Sequence, residues 1–299
     1  MAVTFAQAAE LVADPVRRGA IETAAAVSWV WDRMPFENIE GNSYSYDKDR
    51  VLPGTAFRTV NEAYVESTGV INQATESLVI LGGDADVDRF IERTMSSARG
   101  VLLADQIRMK LESAPATYVS EMFNGDVNVN PKGFDGLRKR LVGEQVLNAT
   151  VALTDSKALG DLDNLFAAVD GGPDVVYTSA DLLGAYKTLA RSVGGAEYIL
   201  SEMTGKREWT WNGVPFIDPG NHWTGNKILA NNSGELYAIK FANSVNEVGV
   251  MGIQNGLLDC YVIGELQEKP AFRARIDYYP GFVVQGGRAA ARLRGIAKS

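Results

Sequence analysis

Apolar residues recur at three- and four-residue steps through one long stretch, Asp84 to Leu141. Val87, Ile91, Met95, Ala98 and Leu102 share a helical face, and Ile107, Leu111, Ala114, Tyr118 and Met122 carry the stripe onward. The spacing predicts a spine-like helix of about 50 Å at ~1.5 Å per residue. Asp84, Asp86 and Asp88 stand where negative charge suits a helix N-terminus. Gly100 and Pro115 interrupt the run, and Pro115 is expected to kink or break the helix about a turn earlier. A compact Asn/Gly/Pro turn and a short basic-apolar segment follow.

The flanking patterns are different. An alanine-rich amphipathic piece, Phe5 to Val12, ends at Asp14-Pro15, and a second piece runs from Val16 to Trp31 with Trp29 and Trp31 among small apolar residues. Asn42 to Tyr46 alternates with period two, and Leu78 to Leu81 is a second strand candidate. The roughly thirty residues between them are polar and weakly periodic, unusual inside a compact domain. Residues 142–252 predict a mixed α/β unit. It has a helix bearing Leu159, Leu162, Leu165, Phe166 and Val169 after a Thr154 or Asp155 cap, a strand at 174–178, and a helix capped by Ser179. A hairpin turning at Asn212-Gly213 follows, then a second one joining Leu229-Ala230 to Leu236–Phe241. Beyond 252 strands return. In 272–278, Phe272, Ala274, Ile276 and Tyr278 share one face and Arg273, Arg275 and Asp277 the other.

Composition narrows the chemistry. The 299 residues carry a net charge of −8, which gives no overall attraction to nucleic acid or to anionic membranes. One cysteine, Cys260, excludes an intrachain disulfide, and its apolar strand predicts a buried, inert thiol. With one histidine, His222, no Cys/His metal cluster is available, and a histidine in the turn-rich loop 219–225 is a poor general base. The Asp84-x-Asp86-x-Asp88 triplet fails as a calcium loop, because Arg89 and Met95 stand where Gly and Glu are needed, and a strand end followed by helix-cap acids is the better reading. Gly220-x4-Gly225-Asn226-Lys227 misses a phosphate loop by one position. A carboxylate-only hydrolase with the 34–83 loop as a lid stays open as an alternative. No signal peptide and no apolar run of about 18 residues is present, so a membrane span is not expected.

Met122-Phe123-Asn124-Gly125-Asp126 followed by Asn130-Pro131-Lys132-Gly133-Phe134-Asp135-Gly136-Leu137 resembles the segment after the spine helix in major capsid proteins of tailed bacteriophages with the HK97-type fold. Asn212-Gly213-Val214-Pro215 and Tyr237-Ala238-Ile239-Lys240-Phe241 resemble that family's axial domain. The order of pieces matches over nearly the whole chain. The resemblance implies an α+β fold with an N-terminal arm at 1–33 and an extended E-loop hairpin at 34–83. A peripheral P domain with the spine helix and exit turn would occupy 84–144, an axial A domain 145–252, and closing P-domain strands 253–299.

It further implies no active site, no cofactor and no metal. The subunit would self-assemble into hexamers and pentamers of an icosahedral virion shell, built in the host cytoplasm around double-stranded DNA that it holds without sequence-specific binding. Contact candidates are Trp29 and Trp31 on the arm, Tyr44, Tyr46, Arg58 and Tyr64 on the loop, and the basic face of Arg273 and Arg275. For the tryptophans, packing on the chain's own core is the competing reading. Arm-like sequence starts almost at Met1, so a separate scaffold protein, or none, is expected, with portal and possible decoration proteins as further partners. Some relatives cross-link an E-loop lysine to a late P-domain asparagine. Lys48 is the only lysine between Glu37 and Gly83, and 256–299 hold no asparagine, so no such bond is expected. An encapsulin-like nanocompartment shell protein is the nearest rival, and a tail component another.

Overall fold

The computed structural model describes residues 28–94, 99–194, 197–200, 207–231, 234–244 and 247–298, with positions 4, 7, 19 and 22. The helices expected at Phe5–Val12 and over most of Val16–Trp31 lie outside the described residues, as do Met95 to Ala98 of the long stripe. The described chain opens with a short helix α1 (Trp29–Arg33) and strand β1 (Phe36–Asn38). A hairpin follows, β2 (Ser43–Val51) and β3 (Val70–Ser77), then β4 (Leu81–Asp88) and the helix α2 (Arg89–Thr94). The spine helix α3 covers Arg99–Asn124 and leads through the exit turn to α4 (Leu137–Arg140).

The long stripe is corrected at two points: Val87 lies on a strand and not on the helical face, and Pro115 does not break the helix. Residues 84–88 belong to a strand, because Asp84, Asp86 and Asp88 alternate with Ala85 and Val87, and both apolar residues are buried while the acids face out. Pro115 does not end the helix. Its ring removes the one backbone donor that would reach the Leu111 carbonyl, and the helix continues on its other bonds to Asn124; the Ser113 and Thr117 hydroxyls fold back on the Lys110 and Ser113 carbonyls, both at 3.0 Å.

The rest is an α/β unit closed by strands. Its elements are β5 (Val146–Asn148), α5 (Ala158–Ala167), β6 (Val175–Thr178), α6 (Ala180–Val193), β7 (Glu197–Leu200), β8 (Arg207–Trp211), β9 (Val214–Ile217) and β10 (Leu236–Ile239). Then come β11 (Gly249–Gln254), β12 (Asp259–Glu265), β13 (Ala271–Tyr278), β14 (Pro280–Gln285) and β15 (Ala290–Arg294). The expected turn between β8 and β9 forms at Asn212 and Gly213, both with positive φ (49° and 80°) as a type I′ turn requires. The Leu229 hairpin does not form; only β10 is a strand there. Ser179 sits at the N-cap of α6 without a side-chain cap bond. At α5 the N-cap is Lys157, whose amide donates to Asp155 Oδ1 at 2.9 Å.

Among the described residues four sheets form, in strand orders β5-β15-β10-β6-β9-β8-β7, β12-β13-β4, β1-β11-β14 and β2-β3. The 253–299 segment therefore divides: β12 and β13 flank the spine with β4, whereas β15 enters the seven-stranded sheet, held there by alternate residues Ala291 and Leu293 that are buried against its helices. The main core joins the spine to the strands through Trp31, Tyr118, Met122, Phe123, Phe134 and Phe282. A second core lies between the seven-stranded sheet and α5 and α6, and a small third one under the root of the hairpin holds Tyr46, Met251, Ile253 and Val283.

Candidate subunit interface

The hairpin β2–β3 is anchored firmly at its root and unsupported beyond it. Tyr46 is buried at the root, and its hydroxyl donates to Glu76 Oε1 at 3.3 Å. Burial, with the Glu76 charge behind it, pushes the Tyr46 phenol up to about 12. Arg140, just after the exit turn, grips the same carboxylate, with Nη2 donating to Glu76 Oε2 at 2.9 Å, and lies over the Phe282 ring at 5.5 Å. The exit turn is rigid. Lys139 Nζ donates to Asp126 and Asp135 at 2.6 and 2.8 Å, and a Cβ on Gly125 would run into the Phe134 and Glu121 carbonyls.

Every residue from 51 to 73 is exposed, apolar ones included: Leu52 is 84% exposed, Phe57 fully, Val60 89% and Val65 84%. Burying one such side chain is worth roughly 1.5–3 kcal/mol. Four such side chains stand in water on a segment that has no core of its own. The tip nevertheless keeps a shape. The Arg58 guanidinium sits 4.8 Å from the Tyr64 ring centroid and donates to the Glu62 carbonyl at 3.3 Å. Glu62 accepts from the Thr59 amide and hydroxyl at 2.9 and 2.8 Å, and those bonds hold its carboxyl below the usual range. The Gly54 amide donates to Ser67 Oγ at 2.8 Å across the loop.

The contact candidates thus separate. Arg58 and Tyr64 stand together on the exposed tip. Tyr46 belongs to the root, with Tyr44 stacked on it at 6.1 Å. Trp31 is withdrawn from any surface: it is fully buried among Phe36, Tyr118 and Tyr278, so packing on the chain's own core describes it. Trp29 is half-buried against that core with Arg33 over its ring at 5.9 Å. The basic face of Arg273 and Arg275 is neutralised within the chain. Arg273 Nε donates to Asp86 Oδ1 and Arg275 Nε to Asp84 Oδ1, both at 2.6 Å, and Lys269 also pairs with Asp86. The Arg273 bond, then Lys269, holds Asp86 well below the ordinary carboxylate range. The acidic triplet that resembles a calcium loop is this ion-pair ladder, with Asp88 accepting from the Phe90 amide at 2.7 Å.

One functional constellation escaped the sequence. Glu235, on the strand side of the exit turn, is buried. It accepts from Arg138 Nη2 at 2.9 Å, Tyr237 Oη at 2.7 Å and Arg292 Nη2 at 2.5 Å, so it locks α4, β10 and β15 together. Burial alone raises its pKa, but the three donors outweigh it and hold the group below 4.5. The i, i+2 spacing of Glu235, just before β10, and Tyr237 within it was the only local signal. His222 Nδ1 is hydrogen-bonded with Thr224 Oγ1 at 2.9 Å, and the ring packs beside Trp223. Cys260 is half-buried, and burial pushes its thiol up. Among the described residues no His, Cys, Asp and Glu cluster could hold a metal ion. No described helix is long and apolar enough to cross a membrane. A groove of about 670 Å³ lies at the hairpin root, lined by Lys48, Glu76, Arg140, Glu144, Asn164 and Arg288 among others.

No family model matches the chain, and no curated protein matches it. Solved structures do. The holo-SrpI encapsulin complex of Synechococcus elongatus superposes with a TM-score of 0.67 at 17% identity, covering 91% of this chain and 88% of that one. The capsid of a native GTA particle gives 0.64 at 16% identity, covering 92% and 91%. This chain has the HK97-type shell fold. A structure of Mycobacterium phage Bobi gives 0.63 at 12% identity, covering 89% and 90%.

Proposed function

We propose that this protein is the major capsid subunit of a tailed bacteriophage, assembling into the hexamers and pentamers of an icosahedral head around double-stranded DNA. The observation that carries the reading is the E-loop. A 23-residue exposed segment, 51–73, holds Leu52, Phe57, Val60 and Val65 in water on a root fixed by Tyr46, Glu76 and Arg140. Such a surface suits a neighbouring subunit, and the fold is one found in capsid and encapsulin shells. The work of the protein is therefore contact rather than catalysis. Its net charge of −8 fits a container whose wall does not bind phosphate and lets packaged DNA slide. A scaffold protein, a portal and decoration proteins are the partners such a head takes.

An encapsulin-like nanocompartment is the second reading, favoured by the SrpI superposition over 91% of the chain. The content of the particles separates the two. Particles from the native source are treated with nuclease, then extracted. Protected double-stranded DNA supports the phage head; a co-purifying enzyme with no nucleic acid supports the nanocompartment and overturns the head.

A further inference from the structure

Asparagine is a thermolabile side chain, and it is most reactive before glycine, where no Cβ hinders attack by the following amide on the side-chain carbonyl carbon. The sequence holds three such steps, Asn124-Gly125, Asn212-Gly213 and Asn255-Gly256. The fold treats them differently.

Asn124-Gly125 is locked. Asn124 is half-buried, and its Nδ2 donates to the Ile228 carbonyl at 2.9 Å. The Gly125 amide, which would have to attack, donates to the Glu121 carbonyl at 2.8 Å. Asn212-Gly213 is exposed but tied. Both residues keep positive φ in the two-residue turn between β8 and β9. Asn212 Nδ2 donates to Asp163 Oδ1 at 3.1 Å, and Trp211 Nε1 donates to the same oxygen at 2.9 Å. Bringing Asn212 Cγ onto the Gly213 nitrogen requires that turn to open.

Asn255-Gly256 is the open step. It lies between β11 and β12, and both residues are exposed. The Gly256 amide donates no backbone hydrogen bond among the described residues. A single side-chain bond restrains Asn255, from Nδ2 to the Gly41 carbonyl at 3.1 Å, and it is exposed to water.

We propose that Asn255 is a site of self-modification, converted by the Gly256 amide to aspartate and isoaspartate. The Gly256 nitrogen bonds to Asn255 Cγ, the Cγ–Nδ2 bond breaks, and ammonia leaves with the Gly256 amide proton. The resulting five-membered imide is opened by water at either carbonyl. The net change is amide plus water to carboxylic acid plus ammonia, with no oxidant or reductant. The inference goes beyond the shell reading and does not depend on it. Its effect falls on the entry to the hairpin. Gly41 belongs to the link between β1 and β2, and the Asn255 bond ties that link to the turn after β11. A carboxylate at 255 can only accept hydrogen bonds, so it faces the Gly41 carbonyl without a donor and the tie is lost. Isoaspartate also inserts a methylene into the main chain.

The full chain is incubated at mildly alkaline pH, once folded and once unfolded in urea. Peptide mapping by tandem mass spectrometry, with enzymatic methyl labelling of isoaspartate, follows each step. All three steps are expected to react in urea. In the folded chain Asn255 is expected to react about tenfold faster than Asn212, and Asn124 to stay intact, because those two must open first. Asn255 left intact in the folded chain while the unfolded chain reacts overturns the proposal. So does Asn212 or Asn124 reacting as fast as Asn255 in the folded chain. Amide hydrogen exchange at 41–43 is expected to be faster in Asn255→Asp and in the aged wild-type chain than in fresh wild type. Equal exchange in all three refutes the effect on the hairpin entry.

Discussion

At the scale of single residues, buried charge and exposed apolar surface have opposite consequences. Glu235→Gln leaves Arg138 and Arg292 without their carboxylate, and the unassembled subunit is expected to lose about 2–4 kcal/mol in urea unfolding. The pH dependence follows in sign. Glu235 is held below 4.5, so its contribution is full above the unfolded value and is lost as the pH falls through the folded one. Wild-type stability is expected to drop below about pH 4.5 more steeply than that of Glu235→Gln, measured by the urea midpoint from pH 6 to about 3. Phe57→Ala is the converse. Fully exposed, Phe57 supports nothing in the isolated subunit, so its loss is expected to change unfolding by less than about 0.5 kcal/mol. In assembly it should behave as an anchor, raising the critical protein concentration for shell formation about tenfold or more.

At the scale of elements, the loop and the body that carries it are separable. Replacing 52–69 with a short Gly-Ser turn keeps Tyr46, Glu76 and Arg140 in place. The shortened chain is expected to unfold within about 2 °C of the parent and to sediment as a monomer. A shortened chain that still closes into shells would remove the loop from the interface. Elements with a core were legible in the sequence: the spine from Leu102 to Met122, α5 and α6 from their apolar stripes, and β8–β9 from Asn212-Gly213. Elements without one were not. β3 is exposed at its first four residues and half-covered only at Ala74 and Glu76, so its start lay outside the reach of a burial pattern. β4 was hidden differently: its buried Ala85 and Val87 also fit a helical stripe, and only pairing with β13 distinguishes the two. Long-range ion pairs such as Arg140–Glu76, 64 residues apart, leave no local trace.

At the scale of the molecule, the acidic chain pairs charges within itself at Asp84, Asp86 and Glu235 and leaves the 51–73 segment with exposed apolar side chains, so the proposed assembly would bring copies together through neutral, apolar surface. Assembly should accordingly tolerate salt well, since burial of apolar area is screened far less than exposed ion pairs. Mature particles are expected to run as monomers on denaturing gels, because Lys48 has no late asparagine to join; covalent ladders in the unmodified chain would contradict this. The central claim, that the chain builds a shell, is tested most directly by negative-stain electron microscopy of the purified protein with size-exclusion chromatography beside it. The account predicts closed shells, or rings of five and six subunits that close when a scaffold is supplied. A monodisperse small oligomer that never assembles under any of these conditions would contradict it.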